Sequence, residues 1–246
     1  MTTIHSTMRI GALLLVTSVL SACLGSGSGG GAGSGGGGGG AGGGGAGGGD
    51  AFAAYDDAYA DATANVLANA PTSDMPVSGS ANFSGEAKLT QFMNGDGTLA
   101  ADAVLADVAL AVQFGAGSTG RISGSADNIR RSLDGKVETY DVRLTSDYAG
   151  NTLKLPSSIA TVENTINVPG RGPITTRTGS YQVNMAAPVT TADIPDLETD
   201  GDLLLTLGGA FTGQGAQGSI GSASAQILDD KVRVAGGSGT HYTKRD

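Results

Sequence analysis

Few residues in this 246-residue chain could start chemistry: it holds one cysteine, Cys23, and two histidines, His5 and His241. Nucleophilic catalysis needs a base beside the nucleophile and a third group to orient that base. His241 stands five residues before Asp246, where a fixed geometry is hard to hold, and no G-x-S-x-G occurs. The roles of nucleophile, base and stabiliser cannot be filled, so the expectation is a non-enzyme with no catalytic residues and no cofactor. Outside the glycine tract of residues 25–49, two G-x-G-x-x-G matches, beginning at Gly115 and Gly213, would cradle a dinucleotide only if a helix followed each, and strand patterns follow both. They read as hairpin loops. Asp193, Asp196, Glu198, Asp200 and Asp202 put five carboxylates into ten residues, the oxygen ligands calcium takes, but without EF-hand spacing. A solvated acidic loop is the better reading, and no metal is expected.

Cys23 is different in kind. Arg9 precedes an apolar run over residues 10–19, IGALLLVTSV, and Leu20-Ser21-Ala22-Cys23 follows. A spanning helix needs about 20 apolar residues, roughly twice this run, so the segment reads as a removable export signal and not an anchor. Leu-Ser-Ala-Cys resembles the lipobox of bacterial lipoprotein precursors, which implies cleavage after Ala22 and acylation of Cys23, with several acyl chains holding the protein on a membrane. Leu24, where some lipoproteins carry Asp, resembles those released to the outer membrane. The alternative is an ordinary secretory signal with a chance cysteine. Starting at Met1 or at Met8 leaves the same mature chain.

Without residues 1–22 the chain carries 13 basic and 23 acidic side chains, a net of −10. It is acidic and has no basic cluster, which argues against nucleic acid as a partner. One cysteine allows no disulfide within the chain, so the fold stands on its core alone. Aromatic residues are 4% and tryptophan is absent, leaving stability to many small, close contacts.

Between residues 25 and 49, 19 of 25 residues are glycine and the rest are Ala or Ser. Such a stretch buries nothing and reads as a flexible tether, with a root-mean-square span of about 25–30 Å and an extended reach of roughly 85 Å. Residues 50–70 form an Ala-rich amphipathic pattern, with Phe52, Tyr55, Tyr59, Val66 and Leu67 on one face and Asp56, Asp57 and Asp61 opposite. One helix is predicted there, capped by Asp50 and stopped by Pro71. Its aromatic stripe either docks on the following domain or binds something foreign, docking being the commoner use. From Val77 the period falls to two. Strands are predicted over about residues 81–90, 98–105, 108–114, 120–129, 137–148, 179–187, 203–212, 218–228 and 231–235.

MPVSGSANFSGEA at residues 75–87, DVALAVQFGAGSTGRISGSADNI at 107–129, GAFTGQGAQGSIGSASA at 209–225 and the closing GTHYTKRD resemble, in order, the repeating pieces of the β-barrel domain in transferrin-binding protein B-like lipoproteins, a broad group that also holds factor H binding protein. The resemblance implies an all-β fold, a small eight-stranded antiparallel β-barrel preceded by a Gly-rich tether and one short helix. It implies a domain order of signal peptide (1–22), acylated Cys and tether (23–49), helix (50–74) and barrel (75–246). It also implies an outer-membrane, surface-exposed lipoprotein of Gram-negative bacteria that binds a host or environmental protein or a nutrient carrier. The chain departs from the group in having one barrel and no second lobe. Rival readings are a structural envelope coat and a small-ligand carrier using the barrel interior. Inward Ala and Gly argue for a narrow, filled interior. A membrane-spanning barrel would want aromatic girdles, which five Phe and six Tyr do not supply.

Residues 111–185 hold eight bases against six acids on an otherwise acidic chain. Arg130, Arg131, Arg171 and Arg177 are candidates to meet an acidic partner, with solvated surface arginines as the alternative. The segment 149–178 is far longer than a hairpin loop and carries Lys154, Arg171 and Arg177 beside Leu153, Ile159, Val162 and Ile166. It reads either as a long recognition loop or, through NTLKLPSSIATVENTINV, as an extra strand, turn and strand.

Overall fold

The computed structural model describes residues 49–148, 156–194, 200–230 and 232–246. Cys23, Lys154, Asp196 and Glu198 lie outside the described residues, as does most of the tether. Helix α1 (Gly49–Leu67) begins one residue ahead of its expected cap. Ten strands follow: β1 (Ser80–Asn94), β2 (Leu99–Gln113), β3 (Arg121–Leu133), β4 (Lys136–Tyr140), β5 (Leu144–Thr145), β6 (Ser158–Val168), β7 (Gly172–Val189), β8 (Gly201–Thr212), β9 (Gly218–Asp229) and β10 (Val232–Arg245).

The pairings between these strands are antiparallel, and they run β2-β1-β10-β9-β8-β7-β5-β3 with β3 returning to β2, a ring of eight strands. Strand β4 pairs with β3 and β6 with β7, making ten in the sheet. The weakest seam is β3-β5-β7, where Thr145 alone links Ser125 to Ala186. Side chains stitch it: Ser146 Oγ accepts the Gly124 N–H at 2.9 Å, and Asn184 donates to the Pro156 carbonyl at 3.2 Å.

Three expectations shift. Residues 98–114, read as two strands, are the single strand β2. The alternation slips because buried positions 101, 103 and 105 give way to 106, 108, 110 and 112. Ala103 and Leu105 face outward under α1, packed with Phe52, Tyr59, Val66 and Tyr242, while Val108 and Leu110 belong to the main core. A change of covered face looked like a break in the chain. The 137–148 strand divides into β4 and β5 opposite a bulge at Asn128, whose φ is 48°. The last strand extends from Val232 to Arg245 and does not end at 235.

The segment 149–178 takes the hairpin form over its described part. Its turn lies at residues 169–171, with Gly170 and Gly172 at φ 78° and 80°.

Helix α1 docks its stripe on the ring. Tyr59 meets Tyr242 edge to face at 5.3 Å and hydrogen-bonds Thr240 at 2.9 Å, and Lys88 Nζ lies 2.8 Å from Asp56. Tyr55 and Leu67 stay exposed. Past α1 the chain crosses one end of the ring, with Thr72 N–H on the Phe211 carbonyl and Met75 N–H on the Arg177 carbonyl. Met75 fills the space over Gly179, where a Cβ would sit 2.6 Å from its Sδ.

Candidate functional site

The two ends of the ring differ in what fills them. At one, called the aromatic end, Phe211 packs against Tyr181 at 5.1 Å, Phe83 at 5.7 Å and Phe114 at 6.2 Å. Beside them Tyr181 Oη lies 2.6 Å from both Ser219 Oγ and His241 Nε2, Ser219 Oγ lies 2.7 Å from Thr243 Oγ1, and His241 Nδ1 lies 3.0 Å from the Ser222 carbonyl. A carbonyl only accepts, so Nδ1 carries the imidazole proton and Nε2 accepts from Tyr181. The rest follows in one direction, Thr243 donating to Ser219 and Ser219 to Tyr181. Burial pulls the His241 pKa down to about 4 and pushes that of Tyr181 up. Far from being loose near the chain end, His241 is fully buried, as is Ser219.

The acidic groups that Arg130 and Arg131 meet belong to this chain. Arg130 is 7% exposed and donates to Glu86 at 2.9 Å and to Asp107, while its guanidinium lies 4.7 Å from the Tyr55 ring. Glu86 also accepts from Tyr242 Oη at 3.0 Å. Arg131 is 9% exposed; it donates to Glu138 at 2.6 Å and lies 5.7 Å over the Tyr140 ring. Strand alternation sends the two neighbours to opposite faces: Arg130 is paired with Leu105, under α1, and Arg131 with Val104, on the interior side.

Arg171 and Arg177 lie on the β6–β7 hairpin. Strand β7 joins β8 only from Ser180 onward, and β8 ends at Thr212, so residues 172–177 carry the hairpin about 20 Å beyond the aromatic end at strand rise. Register partners share a face. One face holds the Arg177–Glu163 ion pair at 2.6 Å and the Thr165–Thr175 hydrogen bond at 2.8 Å. The other holds Val162, Ile166 and Ile174, exposed by 62%, 54% and 41%. Arg171 is exposed at the turn. The base of the hairpin is anchored, with Ile159 buried and Thr161 N–H on the Gly117 carbonyl at 2.7 Å.

The G-x-G-x-x-G segments connect β2 to β3 and β8 to β9, hairpin loops as read from the sequence. In the acidic segment, Asp193 accepts from Thr190 at 2.8 Å and Asp200 from the Thr191 N–H at 3.0 Å; among the described residues no acidic or imidazole cluster is arranged to hold a metal.

At the opposite, alanine end the expectation of a filled interior fails. A cavity of about 90 Å³ lies among small and aliphatic side chains there, with Arg131 and Tyr140 in its wall. Sequence reasoning took inward alanine as a sign of a narrower ring. In a ring of eight strands the width is set by strand number, and small residues leave space instead.

No protein-family model matches this chain, and no match was found among curated proteins or solved structures.

Proposed function

We propose that the chain is a lipid-anchored outer-membrane lipoprotein, akin to the transferrin-binding protein B-like group, whose ring of strands is a water-exposed β-barrel. It serves as a binding module for a host or environmental protein, with the β6–β7 hairpin as its contact surface. The observation that carries this reading is the two-faced hairpin. Its polar face is satisfied internally by Glu163–Arg177 and Thr165–Thr175, while Val162, Ile166 and Ile174 stand in solvent. Exposed apolar residues gathered on a projecting element mark an interaction surface, and Arg171, exposed at the turn, adds positive charge on an acidic protein. The outer wall supports a soluble barrel: Glu86, Lys88 and Asp107 point outward and α1 covers part of it, whereas a lipid-facing wall would be apolar.

The test replaces Thr165 through Thr175 by Asn-Gly, joining the register partners Asn164 and Thr176 in a two-residue turn. Ile159, Thr161 and Arg177, which tie the hairpin base to the ring, remain. The shortened protein is expected to keep its strand signal and cooperative melt and to lose a partner captured by the full chain; capture of the same partner at equal strength overturns the assignment. For the anchor, Cys23→Ser is expected to move the protein from the membrane fraction to the soluble one. Unchanged detergent partitioning refutes acylation there.

A further inference from the structure

We propose that the alanine end of the ring binds a small neutral hydrocarbon guest, either a compact molecule the size of an aromatic ring or the terminal segment of an alkyl tail. The inference is independent of the hairpin, which lies at the other end. The cavity exists because of residue choice. Where Phe83, Phe114, Tyr181 and Phe211 close the aromatic end, Ala87, Ala100, Ala101, Ala106, Ala225 and Ala235 line the other. Its volume of about 90 Å³ is several times the roughly 10–15 Å³ a single water requires, but a water also needs two or more polar partners, and apolar cavities stay dry and take up benzene or xenon.

Floor and rim are distinct. Leu144 and Leu205 at the floor are buried, whereas Asn94 at the rim is exposed and Ala100 and Ile194 are half-buried, giving a guest a way in. The chemistry of the wall selects the guest. Its polar side chains are Asn94, Arg131 and Tyr140. Arg131 is neutralised by Glu138, and Glu138 also accepts from Tyr140 Oη at 2.7 Å. An anionic guest would have to displace Glu138 from Arg131, and a cationic one would meet the guanidinium; a neutral hydrocarbon disturbs neither.

The full chain carrying Cys23→Ser, so that no acyl group of its own competes, is titrated with toluene while its methyl resonances are followed. Saturable shifts at Leu89, Leu205 and Ile227, with a raised melting temperature, are expected. Ala225→Leu, which fills the cavity, should weaken toluene at least tenfold, and Leu205→Ala, which enlarges it, should shift preference from toluene to naphthalene. Absence of saturable binding overturns the proposal, as does unchanged affinity in a folded Ala225→Leu protein. Should that variant not fold, an unaltered preference in Leu205→Ala overturns it. Decanol is the second arm: displacement of toluene by decanol assigns the tail of an amphiphile, and failure to displace it assigns the compact guest.

Discussion

His241 shows how a single side chain can tie this fold to pH. It is held neutral in the chain of hydrogen bonds from Thr243 to Ser222, with a pKa of about 4 against 6.5 in the unfolded chain. Above pH 6.5 neither state binds the proton and the group is silent. Between pH 6.5 and 4 the unfolded chain binds it and the folded chain does not, so stability falls as pH falls. The expected loss is about 3 kcal/mol across that window, read as a drop in denaturation midpoint that flattens in His241→Gln. Nothing in the sequence announced the network, because Tyr181, Ser219, Ser222 and His241 come from three strands and only the register of β7 to β10 joins them. Arg130 and Arg131 were more legible than their reading. Period two places consecutive residues on opposite faces, and Glu138 stands on the neighbouring β4 while Glu86 stands two strands away on β1, but without the pairing order their carboxylates had no known address.

At the scale of elements, α1 was legible because its stripe repeats at helical spacing, though only part of the stripe is buried. Phe52, Tyr59 and Val66 recur every seven residues and face the ring, leaving Tyr55 beside Arg130 and Leu67 in solvent. Tyr59→Ala is therefore expected to cost about 2–4 kcal/mol through its lost packing and its Thr240 hydrogen bond. Leu67→Ala, at a residue 61% exposed, should stay within about 0.5 kcal/mol. Chemical denaturation of the two variants checks the docking register, since equal losses would mean a rotated helix. Strands were legible wherever one face was consistently dry. The β2 reading failed where α1 changes which face is dry, and the two readings of 149–178 could not be separated because a solvent-exposed hairpin lacks the buried face that makes alternation clear. In Ile166 and Ile174 the apolar residues lie on the exposed side.

At the scale of the whole molecule, closure depends on strands far apart in sequence: β1 pairs with β10 from Phe83–Arg245 to Asn94–Ala235. Removing residues 236–246 should leave both β1 and β9 with open edges and yield a poorly folded, self-associating chain, detectable as loss of the cooperative melt and a shift to large species in size-exclusion chromatography. This pairing, like the narrow β3-β5-β7 seam, is a property of strand order, which alternation does not encode. The path of α1 adds a polarity. Tyr55 stacks on Arg130, near the end of β3 that borders the cavity, and Val66 reaches Gly218 at the aromatic end. The helix thus descends from one end to the other, with its N-terminal half at the alanine end. A protein partner at the proposed hairpin surface and a hydrocarbon guest in the proposed cavity would therefore approach from opposite ends of the ring, without competing.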